Sequence, residues 1–327
     1  MKINFVMSSY KQSSIFNAII SYFEEYLKHD IIITNKEVHT GIDVYFYFRP
    51  HLSKKIKKNS VITVHHDLED DGYDNKLFIE QYRQATHIVC LNTNQYKYLN
   101  NLGFNNLHII PHGYNENFSF KKEFKDKHKL DLGIVSKKYS RGVKGEALLK
   151  SLSLAFSPDE FTFTFIGEDR EADAVRFSDK GFVSRHVKTS TYQDIINGYI
   201  KYIDVLLILS EHEGGPACLQ EGLATSIPVV STKVGASLDF IEEGVNGFLV
   251  DNHPDSISKA LHYIKINYKH FFDVAKKHNV ENKDLITWEE VVQKYENVFN
   301  TFDSKSGILI GMLESKIKTE IYKRKSK

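Results

Sequence analysis

The sequence predicts an α/β fold of two domains, each built on a parallel sheet. Three observations lead there. Short β-branched runs alternate with amphipathic helical stretches, the pattern of parallel strands joined by crossover helices. The chain has 327 residues, a length that suits two domains. The alternation also breaks once, over a polar, aperiodic stretch from Asn115 to Lys129, and then restarts.

In the first half, INFVM (3–7), DVYFYF (43–48), SVITVH (60–65), HIVCL (87–91) and LHIIP (107–111) read as strands. SIFNAIISYFEEYLKH (14–29) and NQYKYLNNLG (94–103) read as helices, the second stopping at Gly103 in the C′ position. Gly113 follows Pro111-His112 and is expected to supply a positive φ. The second half opens with the strand LDLGIVS (130–136), a helix near 145–156 and the strand FTFTFIG (161–167). YIDVLLIL (202–209) and IPVVST (227–232) read as buried strands flanking a helix. One helical region is expected from about 254 to 279, and another from Trp288 to the end. There is no internal repeat.

Composition excludes several classes. A net charge of +1 does not suit a dedicated nucleic-acid binder. Hydrophobic residues at 41% suffice for packed cores. Only two cysteines, Cys90 and Cys218, are present, so a reducing cytoplasm rather than a disulfide framework is expected. Cys218 has no His/Asp arrangement around it and reads as a packing residue. No apolar run has the length of a signal peptide or a membrane span. The basic end, SKIKTEIYKRKSK, reads as a solvated helix end, with contact to anionic lipid as the alternative.

The most informative stretch is SEHEGGPACLQEGLATSIPVVST (210–232). Glu213 and Glu221 stand eight positions apart. Between them, Gly214-Gly215 make a turn, and Pro216 fits the first helical position, where its missing N–H costs nothing. The first helical turn, at Pro216 and Ala217, offers free N–H groups at the C-terminal edge of a parallel sheet. Carboxylates in such a place accept hydrogen bonds from sugar and ribose hydroxyls.

These residues carry a resemblance. Glu213, Glu221, Ala224, Pro228-Val229-Val230 and Val234-Gly235 resemble the donor-sugar motif of family 4 glycosyltransferases, retaining enzymes of the GT-B fold. Asp204 and Ser210 around the preceding strand, with Gly244 and Asn246-Gly247 behind, extend the match. One departure stands out. The family has Gly two residues before the Pro; this chain has Ser226, which implies an αL serine or a different cap.

The resemblance implies two Rossmann-like domains with parallel sheets facing a central cleft. The acceptor-side domain is 1–128, the donor domain 129–285, and the helices of 286–327 cross back to the first. It implies that Glu213 contacts the sugar hydroxyls and Glu221 the ribose. Lys144, ahead of Gly145 at a strand–helix junction, resembles one cation of the family's diphosphate clamp. Its partner is Arg141 or Lys138. Two cations and a helix N-terminus would replace a metal. His65 matches the family's histidine at a strand end near the donor sugar, with His66 as the alternate. Gly167 lets the nucleotide pack closely, and Arg185 or Val187 lies near the base. Ser8 and Ser9, with Ser13, stand where the family carries a Gly-Gly turn against phosphate or acceptor; no glycine is present there. The run LEDDGYD (68–74) has acid spacings similar to the metal motif of the GT-A architecture, and is expected here to be an acidic, solvated loop.

The implied reaction is retaining transfer from a nucleotide-diphosphate sugar, without metal or other cofactor. The acceptor is open: glycan, glycolipid, protein or modified nucleic acid. A GT-B epimerase and a noncatalytic sugar-nucleotide binder remain alternatives. A nicotinamide oxidoreductase is excluded by the missing G-x-G-x-x-G after the first strand.

Overall fold

The structure, a computed structural model, describes residues 1–7, 14–118, 123–189 and 191–303. Two parallel sheets of six strands organise it. The first takes β1 (Lys2–Val6), β2 (Asp30–Thr34), β3 (Val44–Tyr47), β4 (Ser60–Val64), β5 (His87–Cys90) and β6 (Leu107–Ile109), in the order β2-β1-β3-β4-β5-β6. Helices α1 (Ser14–Tyr26), α2 (Asn75–Tyr82) and α3 (Thr93–Asn101) make crossovers. Strand β2 was hidden from sequence reasoning. It is the sheet edge, only half-buried along its length, so its DIIIT run lacks the flanking pattern of an inner strand.

The second sheet takes β7 (Leu130–Val135), β8 (Phe161–Ile166), β9 (Ser184–Val187), β10 (Val205–Ile208), β11 (Val229–Thr232) and β12 (Gly247–Val250), in the order β12-β11-β10-β7-β8-β9. Its helices are α4 (Glu146–Ala155), α5 (Glu171–Asp179), α6 (Tyr192–Lys201), α7 (Ala217–Ala224), α8 (Ser237–Phe240), α9 (Pro254–Ile266) and α10 (Tyr268–Glu281). The expected single helix over 254–279 is two. Asn267 ends α9 and precedes α10, and its side chain donates to the Tyr263 carbonyl at 3.0 Å. That side chain–backbone bond competes with the helical ladder.

The inner strands of both sheets read as continuous apolar runs because helices cover both faces. In the first domain, Ile3, Phe5, Val44 and Phe46 pack on one side of the sheet and Tyr47, Ile62, Val64 and Ile88 on the other. Helix α11 (Trp288–Asn300) belongs to the first of these cores through Val291, Val292, Tyr295 and Phe299. Tyr22 stacks on Trp288 with centroids 5.1 Å apart.

The chain therefore crosses between domains twice, and the crossings run side by side. Tyr114 N–H donates to the Ile286 carbonyl at 3.1 Å, and Trp288 N–H donates to the Tyr114 carbonyl at 3.0 Å. Gly113 is needed for this approach and not for a positive φ: a Cβ there would lie 2.7 Å from Thr287 backbone.

Candidate active site

The loop after β10 turns along the C-terminal edge of the second sheet and enters α7. Helix α7 starts at Ala217, so Pro216 is its N-cap residue, with φ −67° and ψ 111°, one position earlier than expected. At the other end, Ser226 has φ +66°. The chain takes the left-handed turn that a glycine would make more easily.

Glu213 is nearly enclosed in this loop. Its Oε1 accepts from the Lys144 ammonium and from Ser210 Oγ, the latter at 3.0 Å. Lys144 itself is mostly buried. Burial opposes its charge, but the Glu213 carboxylate more than reverses this and holds its pKa above the ordinary lysine value. Gly214 meets the first domain. A Cβ on it would lie 2.6 Å from the His65 carbonyl oxygen, so only glycine permits the contact. Asn92 Nδ2, at the head of α3, donates to the Gly214 carbonyl at 2.6 Å. Gly215 lies against Leu91 and His112.

Glu221 is buried on α7. Tyr192 Oη, at the start of α6, donates to its Oε1 at 2.5 Å. Burial pushes the carboxyl up to about 7, against the opposing pull of the Tyr192 and Tyr199 hydroxyls. Tyr192 also faces Tyr22 of the first domain, whose hydroxyl accepts from Asn115 Nδ2 at 2.9 Å. A polar chain thus runs from the interdomain crossing to this carboxylate. Sequence reasoning missed Tyr192 and Tyr22, since tyrosines within helical patterns carry no motif.

The basic loop between β7 and α4 divides in two. Lys144 and Arg141 line the interdomain cleft. Arg141 reaches the first domain, where it donates to both oxygens of Asp70 at 2.8 and 3.1 Å and lies 4.7 Å from the Tyr73 ring centre. Lys138 turns the other way and pairs with Asp173 of α5 at 3.0 Å. Gly167 sits at φ +136°, and its missing Cβ would fall 2.4 Å from the Ser136 carbonyl oxygen. Backbone crowding beside β7 therefore accounts for that glycine without a nucleotide. Arg185 is tied down into the sheet by Asp131 and Thr164. Val187 pairs with Ile166 at the strand ends.

On the facing wall, His65 and His66 directly follow β4. The His65 ring stacks on Phe48 at 5.5 Å and lies 6.0 Å from the His112 ring. Burial, aided by His112, His66 and Arg49, holds it well below the usual histidine range, so the ring is neutral at pH 7. His66 packs on Phe78 at 3.9 Å, and burial lowers it to about 4. Both rings hold a buried Nε2 with no protein partner among the described residues.

The acidic loop differs from expectation. It is not simply solvated: Asp70 is only 3% exposed, a burial explained by the Arg141 guanidinium. Asp67 Oδ2 accepts from His212 at 2.9 Å. Asp70, Asp71 and His212 also place one ligand atom each within 4.8 Å of one another. The signal for His212 was its position inside the donor string, between Ser210 and Glu213. Ser8, Ser9 and Ser13 lie outside the described residues. Cys218 is half-buried in α7, and desolvation pushes its thiol well above the ordinary value.

Together the walls enclose a cleft of about 400 Å³. One side presents aromatic rings and neutral histidines, with Arg49, Asp67 and Asp70 among them. The other presents the Lys144 ammonium, the Glu213 carboxylate and the glycine turn. Such a site can hold sugar hydroxyls against Glu213 while a cation faces a neighbouring anion.

Residues 118–278 match the model of the family glycosyl transferases group 1. A probable sucrose-phosphate synthase of Thermosipho melanesiensis is 24% identical over 204 residues, covering 58% of this chain and 46% of that protein. The match thus spans less than half of that relative. Among solved structures, Anabaena HepE in complex with UDP and glucose has a TM-score of 0.73 at 13% identity, covering 92% of this chain and 100% of the other. The sucrose-phosphate synthase of Thermosynechococcus elongatus has a TM-score of 0.74 at 12% identity, covering 91% and 98%. The two six-stranded parallel-sheet domains are those of the GT-B fold.

Proposed function

From a segment, residues 118–278, of the glycosyl transferases group 1 family, we propose that this protein transfers a glycosyl unit from a nucleotide-diphosphate sugar, UDP- or GDP-linked, to an acceptor hydroxyl. Configuration is retained and no metal is needed. The observation that carries this reading is the Lys144–Glu213–Ser210 cluster, set at the C-terminal edge of a parallel sheet and facing the His65 wall. Ligands of open α/β sheets bind at that edge. The HepE structure, solved with UDP and glucose, supports a nucleotide-sugar donor.

In this reading Glu213 holds the sugar hydroxyls and Glu221 the ribose. Lys144 and Arg141 face the diphosphate; Lys138 is engaged by Asp173. The acceptor oxygen bonds to the anomeric carbon as the carbon–oxygen bond to the diphosphate breaks. The acceptor proton passes to the leaving phosphate oxygen. Charge growing on that group is what the two cations stabilise. Arg141 must exchange Asp70 for the diphosphate, and Lys144 must share itself with Glu213.

Thermal shift against UDP-, GDP-, ADP- and CMP-sugars tests the donor. A matching donor at a hundred times its dissociation constant should add about 2.7 kcal/mol; silence across the panel at millimolar levels would sink the reading. Product analysis then separates transfer from epimerisation. Metal independence rests on Lys144 and Arg141, two cations that line the cleft and would take the place of a metal at the diphosphate. Excess EDTA should leave activity intact. Loss that Mg²⁺ or Mn²⁺ restores would make Asp70, Asp71 and His212 a metal site instead.

A further inference from the structure

Three cations of the cleft have a carboxylate partner: Arg141 with Asp70, Lys144 with Glu213, and His212 with Asp67. Arg49 differs. It follows β3, is half-buried, and lines the same cleft from the first domain. Its guanidinium carbon lies 4.8 Å from the centre of the Phe16 ring. Among the described residues no carboxylate pairs with it. Of the undescribed stretches, 8–13 and 119–122 contain no acid, and 304–327 contains Glu314 and Glu320.

The support beneath Arg49 is stiff. Gln81 Nε2 donates to the Pro50 and Ser53 carbonyls at 2.8 and 3.1 Å. Ile56 N–H donates to Gln84 Oε1 at 3.3 Å, and Lys57 N–H donates to Tyr47 Oη at 3.2 Å. This anchored loop also carries Lys54, Lys55, Lys57 and Lys58, none paired with a carboxylate among the described residues. An arginine resting on an aromatic face keeps its donor fork open and pre-organised. A lysine-rich loop beside it raises the local concentration of anions.

We propose that Arg49 is a subsite for an anionic group, a phosphate ester or a carboxylate, carried by the acceptor. The inference rests on the glycosyltransferase reading. The donor diphosphate already has Lys144 and Arg141 on the second domain, whereas Arg49 and the lysines stand on the first. A neutral acceptor would leave this half-buried fork without a carboxylate or other anionic partner among the described residues.

The test uses the full chain saturated with UDP. Glycerol 3-phosphate and glucuronate are titrated calorimetrically beside their neutral counterparts, glycerol and glucose. A charge-assisted arginine contact should make at least one anion bind about tenfold or more tightly than its neutral counterpart. Which anion does so separates phosphate ester from carboxylate. Arg49→Gln should abolish the preference, Arg49→Lys should keep part of it, and added salt should weaken it. UDP affinity should stay within about twofold in both variants. The proposal is overturned if neither anion is preferred or if the preference survives Arg49→Gln. It is also overturned if UDP binding falls as far as anion binding, which would assign Arg49 to the donor. Failure of UDP to bind the wild-type chain would count against the donor reading alone. The same titrations without UDP, wild type against Arg49→Gln, would then still decide the subsite.

Discussion

Lys144 and Glu213 neutralise one another at the donor loop, so removing either leaves the other nearly enclosed without a partner. The proposed roles separate the two. Lys144 faces charge that grows as the diphosphate leaves, and Lys144→Ala should lower turnover by about two to three orders of magnitude, on the order of 3–4 kcal/mol. Glu213→Ala should also weaken donor binding and blur the choice of sugar, because sugar hydroxyls are held before and during reaction. Steady-state kinetics with varied donor checks the ordering; near-normal turnover in Lys144→Ala would misplace the clamp. Glu221 allows a sharper test. Burial raises its carboxyl to about 7. A group raised on folding stabilises the fold fully below its unfolded value and loses that contribution as pH rises through about 7. Glu221→Gln keeps an oxygen for Tyr192 and removes the charge. It should therefore raise the unfolding free energy above neutral pH, by on the order of 3 kcal/mol at most, and the melting midpoint with it, and change little near pH 4. The same variant should weaken UDP binding. A midpoint gain equal at both pH values would show that the buried charge is not its source.

At the scale of elements, α7 shows what a short helix between two buried strands must accommodate. Its exit places Ser226 at φ +66°, with a buried hydroxyl that has no partner among the described residues. Ser226→Gly should stabilise the protein by up to about 1–2 kcal/mol, since glycine reaches this conformation without the Cβ clash. Thermal unfolding measures it; a loss of stability would mean that the serine is held by something more than its backbone. The strands β7, β8, β10 and β11 were legible in sequence because inner parallel strands are continuous apolar runs. The helices α5 and α6 and the strand β9 were not read from the sequence. Their half-exposed segments, such as SRHV at β9, lack a clear period. The linker after Asn115 was legible as a break. What it joins was not: Lys127 binds Asp204 at 2.7 Å and ties the linker to the second sheet.

At the scale of the whole molecule, the domains are joined across the cleft by Arg141–Asp70 and His212–Asp67. Burial lowers the His212 pKa, but the hydrogen bond to Asp67 and the carboxylates of Asp67, Asp70 and Asp71 reverse this and hold it above the ordinary value. The contact is therefore fully present below pH of about 6.5 and is lost as pH rises through the elevated folded value. Wild type should exceed His212→Gln in unfolding free energy near pH 6 by less than about 1 kcal/mol, read as a higher melting midpoint, and the two should converge by about pH 9. Convergence at neither end would show that the imidazolium does not bridge the domains. Of the two cross-cleft pairs, Arg141–Asp70 uses a group assigned to the proposed donor site, so donor binding and interdomain contact would compete for Arg141.

The sequence by itself determined the fold class and the candidate donor residues. Apolar periodicity records which strands are covered on both faces. The string from Ser210 to Thr232 is local, so Glu213, Ser210 and Glu221 could be read from one stretch of chain. Only the tertiary structure decided the partnerships. Asp70 read as a solvated acid until Arg141, 71 residues away, was found against it. Arg49 had no meaning until the other cations of the cleft were seen to be paired. Charges are matched or left unmatched by proximity in space, and spacing along the chain does not record which distant side chains a cleft brings face to face.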